Sequence, residues 1–174
     1  MNKANSGMSF SASQQKSASD VNMLLVTFKL ENAHFGIDAH LVQEVVKVGE
    51  LTTVHHAPSF VVGIRNLRGR IVTVVDLASR LGLGCVTRNQ ENRLLIMEWH
   101  NEPVGFLVDS VAEAVSLHND EVSPPPSNIP EEQRRNLRGV YKDGPRLVGI
   151  LDHEALFTGD EEKANTQIRK GEHR

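Results

Sequence analysis

The sequence predicts a mainly β chain with a few short helices, built as two similar β units packed together. Three observations carry that expectation. Leu24, Val26, Phe28 and Leu30 alternate with their neighbours at period two, and Ala33, Phe35 and Ile37 continue the alternation after a short turn, the signature of a hairpin. Thirteen Gly and seven Pro punctuate the 174 residues, too often for a helical bundle. Finally, Asn66-Leu67-Arg68-Gly69 recurs as Asn136-Leu137-Arg138-Gly139, and each copy leads into a strand pattern, an aspartate and a helix with one apolar face. Units this small are not stable alone, so they are expected to share a core.

Taken in order, residues 1–22 are Ser-, Gln- and Asn-rich and read as a disordered tail, since they carry too little apolar surface to offset the entropy of ordering. A single domain is expected over 23–157. After the first hairpin, Asp38 can cap a short helix with Leu41/Val45 and Val42/Val46 as i,i+4 pairs, or the β-branched run of Val45, Val46 and Val48 can form a strand instead. Ala57-Pro58 marks a loop. Two β-branched runs between Phe60 and Val75 flank a polar centre and read as a second hairpin, after which Asp76 caps a helix carrying Leu77 and Leu81 that Gly82 ends. Residues 84–92 read as a loop. Arg93 to Trp99 and Val104 to Val108 form a further hairpin about His100-Asn101, and Val111, Ala112, Val115 and Leu117 extend the apolar pattern. Pro124-Pro125-Pro126 breaks regular structure, Glu131 to Arg135 reads as a short exposed helix, and Lys142-Asp143-Gly144 turns a last hairpin that ends at Leu151. Residues 158–174 read as a flexible charged tail with a lone Ile168.

Composition removes several function classes. With 19 Lys and Arg against 22 Asp and Glu, the net charge of -3 leaves no basic excess for a nucleic-acid backbone. A single cysteine, Cys85, cannot form an internal disulfide, which fits a reducing cytoplasm. The apolar runs fall far short of the roughly 20 residues that span a bilayer, and the N-terminus lacks an apolar export core, so neither membrane insertion nor secretion is expected.

No catalytic motif stands out. The nucleophile elbow, the phosphate loop and the dinucleotide glycine fingerprint are all missing. Adjacent histidines on a strand face opposite sides, so His55-His56 reads as a polar loop rather than a metal site. Cys85 would need a base and an orienting partner to act as a nucleophile. Asp38, Asp76, Asp109 and Asp152 each follow a strand, where acid–base carboxylates could sit, but a role as helix cap or turn former is favoured and explains at least Asp76 and Asp152. The cluster of Arg65, Arg68 and Arg70 with Asn66 is different, because guanidinium groups hold a partner's carboxylates or carbonyls well, and Leu67 at a hairpin tip needs a cover.

The run from Ala57 to Leu77, APSFVVGIRNLRGRIVTVVDL, together with Val42-Gln43-Glu44-Val45, resembles the CheW-like coupling proteins of bacterial chemotaxis. The opening FKLENAHFGID from Phe28 to Asp38 and the later runs VGFLVDSV from Val104 and LVGILD from Leu147 are similar to the same family, so the likeness spans about Met23 to Phe157. The resemblance implies two SH3-like five-stranded β-barrel subdomains sharing a hydrophobic core. It implies a non-enzymatic, cofactor-free adaptor, monomeric alone, cytoplasmic and recruited to membrane-associated receptor arrays. There it would couple the cytoplasmic tip of methyl-accepting chemoreceptors to the regulatory domain of a CheA-type histidine kinase.

Carried over by position, Val42 and Glu44 correspond to kinase contacts, and Gly63, Asn66, Leu67, Arg68 and Gly69 to the hairpin that supports receptor and kinase coupling, with Arg68 the foremost of them. The chain departs from the family pattern at His55 and Thr73, where proline is common. Thr73 restores a backbone donor that proline lacks. The same adaptor role in a surface-motility, biofilm or second-messenger pathway fits these residues equally, and a small β-barrel enzyme using Cys85 is the competing class.

Overall fold

Ten strands form where the period-two runs lie. The computed structural model describes residues 23–158. The first hairpin is β1 (Met23–Leu30) and β2 (Ala33–Asp38). A single 3-10 turn, Ala39–Leu41, follows, and the Asp38 carboxylate caps it by accepting the His40 N–H at 2.9 Å. The next residues take the strand alternative: β3 (Glu44–Lys47) is extended because Val45 and Val46 are stiff and pack on a pleated neighbour. Then come β4 (Val61–Leu67), β5 (Arg70–Asp76), the one-turn helix α1 (Leu77–Arg80), β6 (Arg93–Trp99), β7 (Glu102–Val108) and β8 (Ser110–Leu117). A second one-turn helix, α2 (Glu131–Arg134), leads into β9 (Leu137–Asp143) and β10 (Arg146–Leu151), and residues 153–158 are helical (α3). The reading of 1–22 as a tail falls outside the described residues, as does that of 158–174 beyond Thr158, which itself ends α3 rather than beginning a tail. Among those described, no helix is long and apolar enough to cross a membrane.

The strands make two five-stranded sheets, ordered β3-β6-β7-β5-β4 in the first unit and β8-β1-β2-β10-β9 in the second. The units are therefore not the two halves of the chain: the N-terminal hairpin joins the C-terminal strands. Strand for strand the units correspond, down to one parallel pair in each, β5 with β7 and β10 with β2. Hydrogen bonds set the register of that correspondence. The Asp76 N–H donates to the Phe60 carbonyl at 2.8 Å, and the Asp152 N–H to that of Asn136 at 2.9 Å. Thr52 bridges Ile64 just as Ser123 bridges Val140. Phe60 thus matches Asn136, Gly63 matches Gly139, and Asn66 matches Lys142. The repeated Asn-Leu-Arg-Gly is out of register and marks no structural repeat. The strand–aspartate–helix echo is real: Asp76 caps α1 through the Ser79 N–H (3.0 Å), and Asp152 caps α3 through that of Ala155 (3.2 Å).

The two five-stranded units agree with the expected mainly β fold of two subdomains, although neither sheet closes fully into a barrel. Each sheet ends in two strands that do not pair with each other, β3 and β4 in the first unit, β8 and β9 in the second. In the first unit β3 is only four residues long, and the chain turns away at Gly49 with a positive φ of 63°. Only Thr52 reaches β4, through two backbone hydrogen bonds with Ile64. The Arg65 guanidinium closes part of the remaining gap by donating to the carbonyls of Lys47 and Val48.

The main core lies inside the first unit and between the two sheets. All four residues from Leu94 to Met97 are buried, since one face of β6 lines the first unit and the other meets the second. A smaller core of Met23, Leu25, Leu117, Tyr141, Val148 and Ile150 fills the second unit. Burying each such side chain contributes about 1.5–3 kcal/mol, so the larger cluster, which joins the two units, supplies most of the cohesion. Across it the Phe157 ring stacks on Trp99 with centroids 4.4 Å apart and meets Phe106 at 5.3 Å.

Candidate functional site

The tip between β4 and β5 is a two-residue turn. Leu67 pairs with Arg70, leaving Arg68 and Gly69 at the corner with φ of 53° and 84°, the pattern of a type I′ turn. Glycine takes this conformation freely, whereas an arginine there costs about 1–2 kcal/mol. Asn66 shapes the corner, its Oδ1 accepting the Gly69 N–H at 2.8 Å. Leu67 tucks back against the main core, which supplies the cover that its place at a tip demands.

The exposed Arg68 side chain reaches across the open edge to β3. Its Nη1 donates to Glu44 Oε1 at 3.1 Å, and its Nη2 lies 2.9 Å from Glu44 Oε2, a fork-to-fork pair. Beside it Arg70 lies 3.6 Å from Glu98 Oε2, which also accepts from Gln43 Nε2 at 3.1 Å. Leu67, Val72, Ile96 and Pro103 floor the shallow depression between these charges. Ile71, 55% exposed, follows Arg70 on β5, and Val45 is exposed on β3. Exposed ion pairs contribute only about 0–1 kcal/mol, so this array shapes a surface more than it holds the fold. The arrangement can grip another polypeptide through guanidinium, carboxylate and aliphatic groups together.

Of the residues singled out from sequence, Glu44, Asn66, Leu67, Arg68 and Gly69 come together here. Val42 lies just outside β3, where its N–H donates to the Ala39 carbonyl and its side chain packs on the core. Gly63 is buried within β4, away from the tip; a Cβ there would stand 2.5 Å from the Thr52 carbonyl oxygen. Arg65 leaves the basic cluster to bind the Lys47 and Val48 carbonyls at the end of β3. Gln43 and Glu98 were missed. Gln43 stood beside Glu44 in the motif and was passed over, while Glu98 joins only through the pairing of β6 with β3.

The competing chemistry finds less support in the geometry. The four strand-end aspartates each accept a backbone N–H: Asp38 from His40, Asp76 from Ser79 and Val86, Asp109 from Glu31, and Asp152 from Ala155. His55 and His56 lie in an exposed loop, and Cys85 is exposed. Among the described residues no group of three or more His, Cys, Asp or Glu is placed to hold a metal ion.

Comparison with known proteins agrees with this architecture. Residues 24–161 match the CheW-like domain family. A probable chemotaxis protein CheW from Rhizobium etli is 26% identical over 149 residues, which cover 86% of this chain and 96% of that protein. The chemotaxis protein CheW of Treponema pallidum is 30% identical over 146 residues, 82% of this chain and 86% of its own. Among solved structures, the scaffolding protein TtCheW from Thermoanaerobacter tengcongensis superimposes with a TM-score of 0.70 at 31% identity, covering 78% of this chain and 87% of that one.

Proposed function

This chain belongs to the CheW-like domain family of scaffold proteins, and from that premise we propose that it couples the cytoplasmic tips of methyl-accepting chemoreceptors to the regulatory domain of a CheA-type histidine kinase. It acts in the cytoplasm, recruited to receptor arrays, as an adaptor that transforms no substrate. Glu44, Asn66, Leu67, Arg68 and Gly69 form one partner-binding face, with Val42 and Gly63 shaping the strands behind it.

A single observation carries the reading. Arg68 occupies a left-handed corner where the backbone favours glycine, and its counterpart in the second unit is a glycine, Gly144, with nearly the same φ of 58°. The turn does not need this side chain, and the Glu44 pair adds little stability in exchange for it. What it presents to a partner accounts for an arginine at this corner. Several weak contacts of this kind hold an assembly through multivalency, and the signal is then a coupling free energy between the receptor and kinase sites.

Reconstitution of the protein with a receptor tip and kinase tests this. Binding to both and a rise in kinase activity on receptor membranes are expected. Arg68→Glu, which sets a carboxylate against Glu44, is expected to lower coupling roughly tenfold, about 1.4 kcal/mol, with the thermal midpoint little changed. Absence of binding to either partner would overturn the proposal. Deletion followed by swimming and surface-growth assays identifies the pathway served.

A further inference from the structure

The helices that follow the two capping aspartates lie against each other. Asp76 and Asp152 are equivalent, so Arg80 in the first unit is the counterpart of Leu156 in the second. These two positions touch: the Arg80 Nε and Nη2 donate to the Leu156 carbonyl at 2.9 and 2.7 Å. The bond thus joins equivalent positions of the two units. The guanidinium carbon also lies 5.2 Å from the centroid of the Phe60 ring, which lines up the arginine from its own unit. The next residue along, Phe157, stacks on Trp99 of the first unit at an interplanar angle of 7°.

Elsewhere the interface between the units is mainly aliphatic and aromatic, with Phe28, Leu30, Ile37 and Leu151 of the second unit sharing one core with the first, while at Asp109, the single residue linking β7 to β8, the carboxylate accepts the Glu31 N–H and the backbone N–H donates to the Lys29 carbonyl. Apolar burial is non-directional and favours contact without favouring one angle. A two-pronged, charge-assisted hydrogen bond to a carbonyl is directional. We propose that Arg80 is the positioning residue that fixes the angle between the two units, and with it the relation between the faces through which the adaptor holds its partners. The second clause rests on the adaptor reading above; the first does not.

Pulsed dipolar EPR on the full chain tests it, with spin labels at Glu102→Cys in the first unit and Lys142→Cys in the second, in a Cys85→Ser background. Both label sites are exposed. The parent is expected to give one narrow distance distribution. Arg80→Ala is expected to widen it roughly twofold or move its mean by several ångström, and Arg80→Lys, which keeps the charge but loses the fork, to fall between. A residue that merely stabilises would lower the thermal midpoint and leave the distances unchanged, and that result overturns the proposal. Should Arg80→Ala fail to fold, Arg80→Lys decides alone. In a second arm, each partner alone is expected to bind Arg80→Lys as it binds the parent, while joint binding weakens about fivefold as the two sites lose their matched geometry. Equal loss for single and joint binding overturns the link to coupling. If the parent binds neither partner, the adaptor reading fails while the distance measurement still decides the role of Arg80.

Discussion

The β4–β5 hairpin of the first unit and the β9–β10 hairpin of the second occupy equivalent places and present the same order of groups. Arg70 and Ile71 match Arg146 and Leu147, and both aliphatic side chains are about half exposed. Their corners differ. In the second unit Gly144-Pro145 makes the turn, and Arg146 pairs with Asp143 inside the hairpin. In the first, Arg68 stands in the glycine position and pairs with Glu44 on another strand. The second corner satisfies itself with local turn chemistry. The first carries backbone strain and joins two edge strands. The first corner is the one that belongs to the proposed partner-binding face.

The units differ inside as well. Arg65 reaches out to close the edge of the first unit, while its counterpart Tyr141 is buried in the small core of the second. Phe157 of α3 fills its place over the first sheet. Its counterpart Leu81 is smaller and lines an open apolar cleft of about 210 Å³ with Phe35, Leu137 and Leu151.

Substitutions at matched positions break or sharpen this comparison. The largest effect is expected at the buried glycines. In Gly63→Ala the new methyl would meet the Thr52 carbonyl at 2.5 Å, and backbone cannot step aside; in Gly139→Ala the nearest atom is the Val122 Cγ1 at 2.6 Å, a side chain that can turn, with the Ser123 carbonyl oxygen less close at 3.0 Å. Urea unfolding is expected to show a loss of about 3 kcal/mol or more for the first and about 1–2 for the second. Equal losses would mean that the two crossings are alike after all.

Next come the ring positions. Phe157→Leu is expected to cost about 1–2 kcal/mol by emptying the stack on Trp99, with a shift in tryptophan emission. Leu81→Phe is expected to stay within about 1 kcal/mol of the parent, because the cleft beside it accepts the larger ring. A penalty of several kcal/mol would show the cleft to be unable to adapt.

Tyr141 provides a pH-dependent difference between the units. Burial raises its pKa above the ordinary 10.0, the charges of Asp143 and Glu113 add to the rise, and Arg146 opposes it. The native state therefore holds the phenol proton more tightly than the unfolded chain does. That contribution is fully present below pH 10 and is lost as pH climbs through the raised value. Its hydroxyl has no protein hydrogen-bond partner among the described residues. Tyr141→Phe is accordingly expected to match the parent within about 1 kcal/mol at pH 7 and to lose less stability above pH 10. Parallel alkaline profiles would place the sensitivity elsewhere.

The smallest effect is at the corner itself. Arg68→Gly removes the left-handed strain and the exposed ion pair together, so stability is expected to hold or rise by up to about 1 kcal/mol while kinase coupling falls. Arg146→Ala is expected to change stability by no more than about 0.5 kcal/mol. A large loss of stability in Arg68→Gly would make the arginine a structural residue.

Much of this was legible in the chain. Hairpins, both capping aspartates, the last hairpin about Gly144 and the Asn66-to-Gly69 corner follow from period two, cap chemistry and turn chemistry, all of which act over a few residues. The segment after Asp38 stayed open between helix and strand, because a short β-branched run supports either until a neighbouring strand is present. The four-letter repeat misled about register, since Asn66 and Asn136 share a sequence context but not a hydrogen-bonding place. Glu98 could not be found, as no local pattern links it to Arg70.

What the amino-acid order determined by itself is the set of short elements, their ends and the residue types gathered at one corner. What the tertiary structure alone decided is the interleaving of the units, the open edges that Arg65 and Arg68 bridge, and the meeting of Arg80 with Leu156. The reason is physical: turns and caps are settled by interactions between near neighbours, whereas sheet order and edge closure depend on contacts between segments far apart in the chain, whose geometry exists only once the shared core has formed.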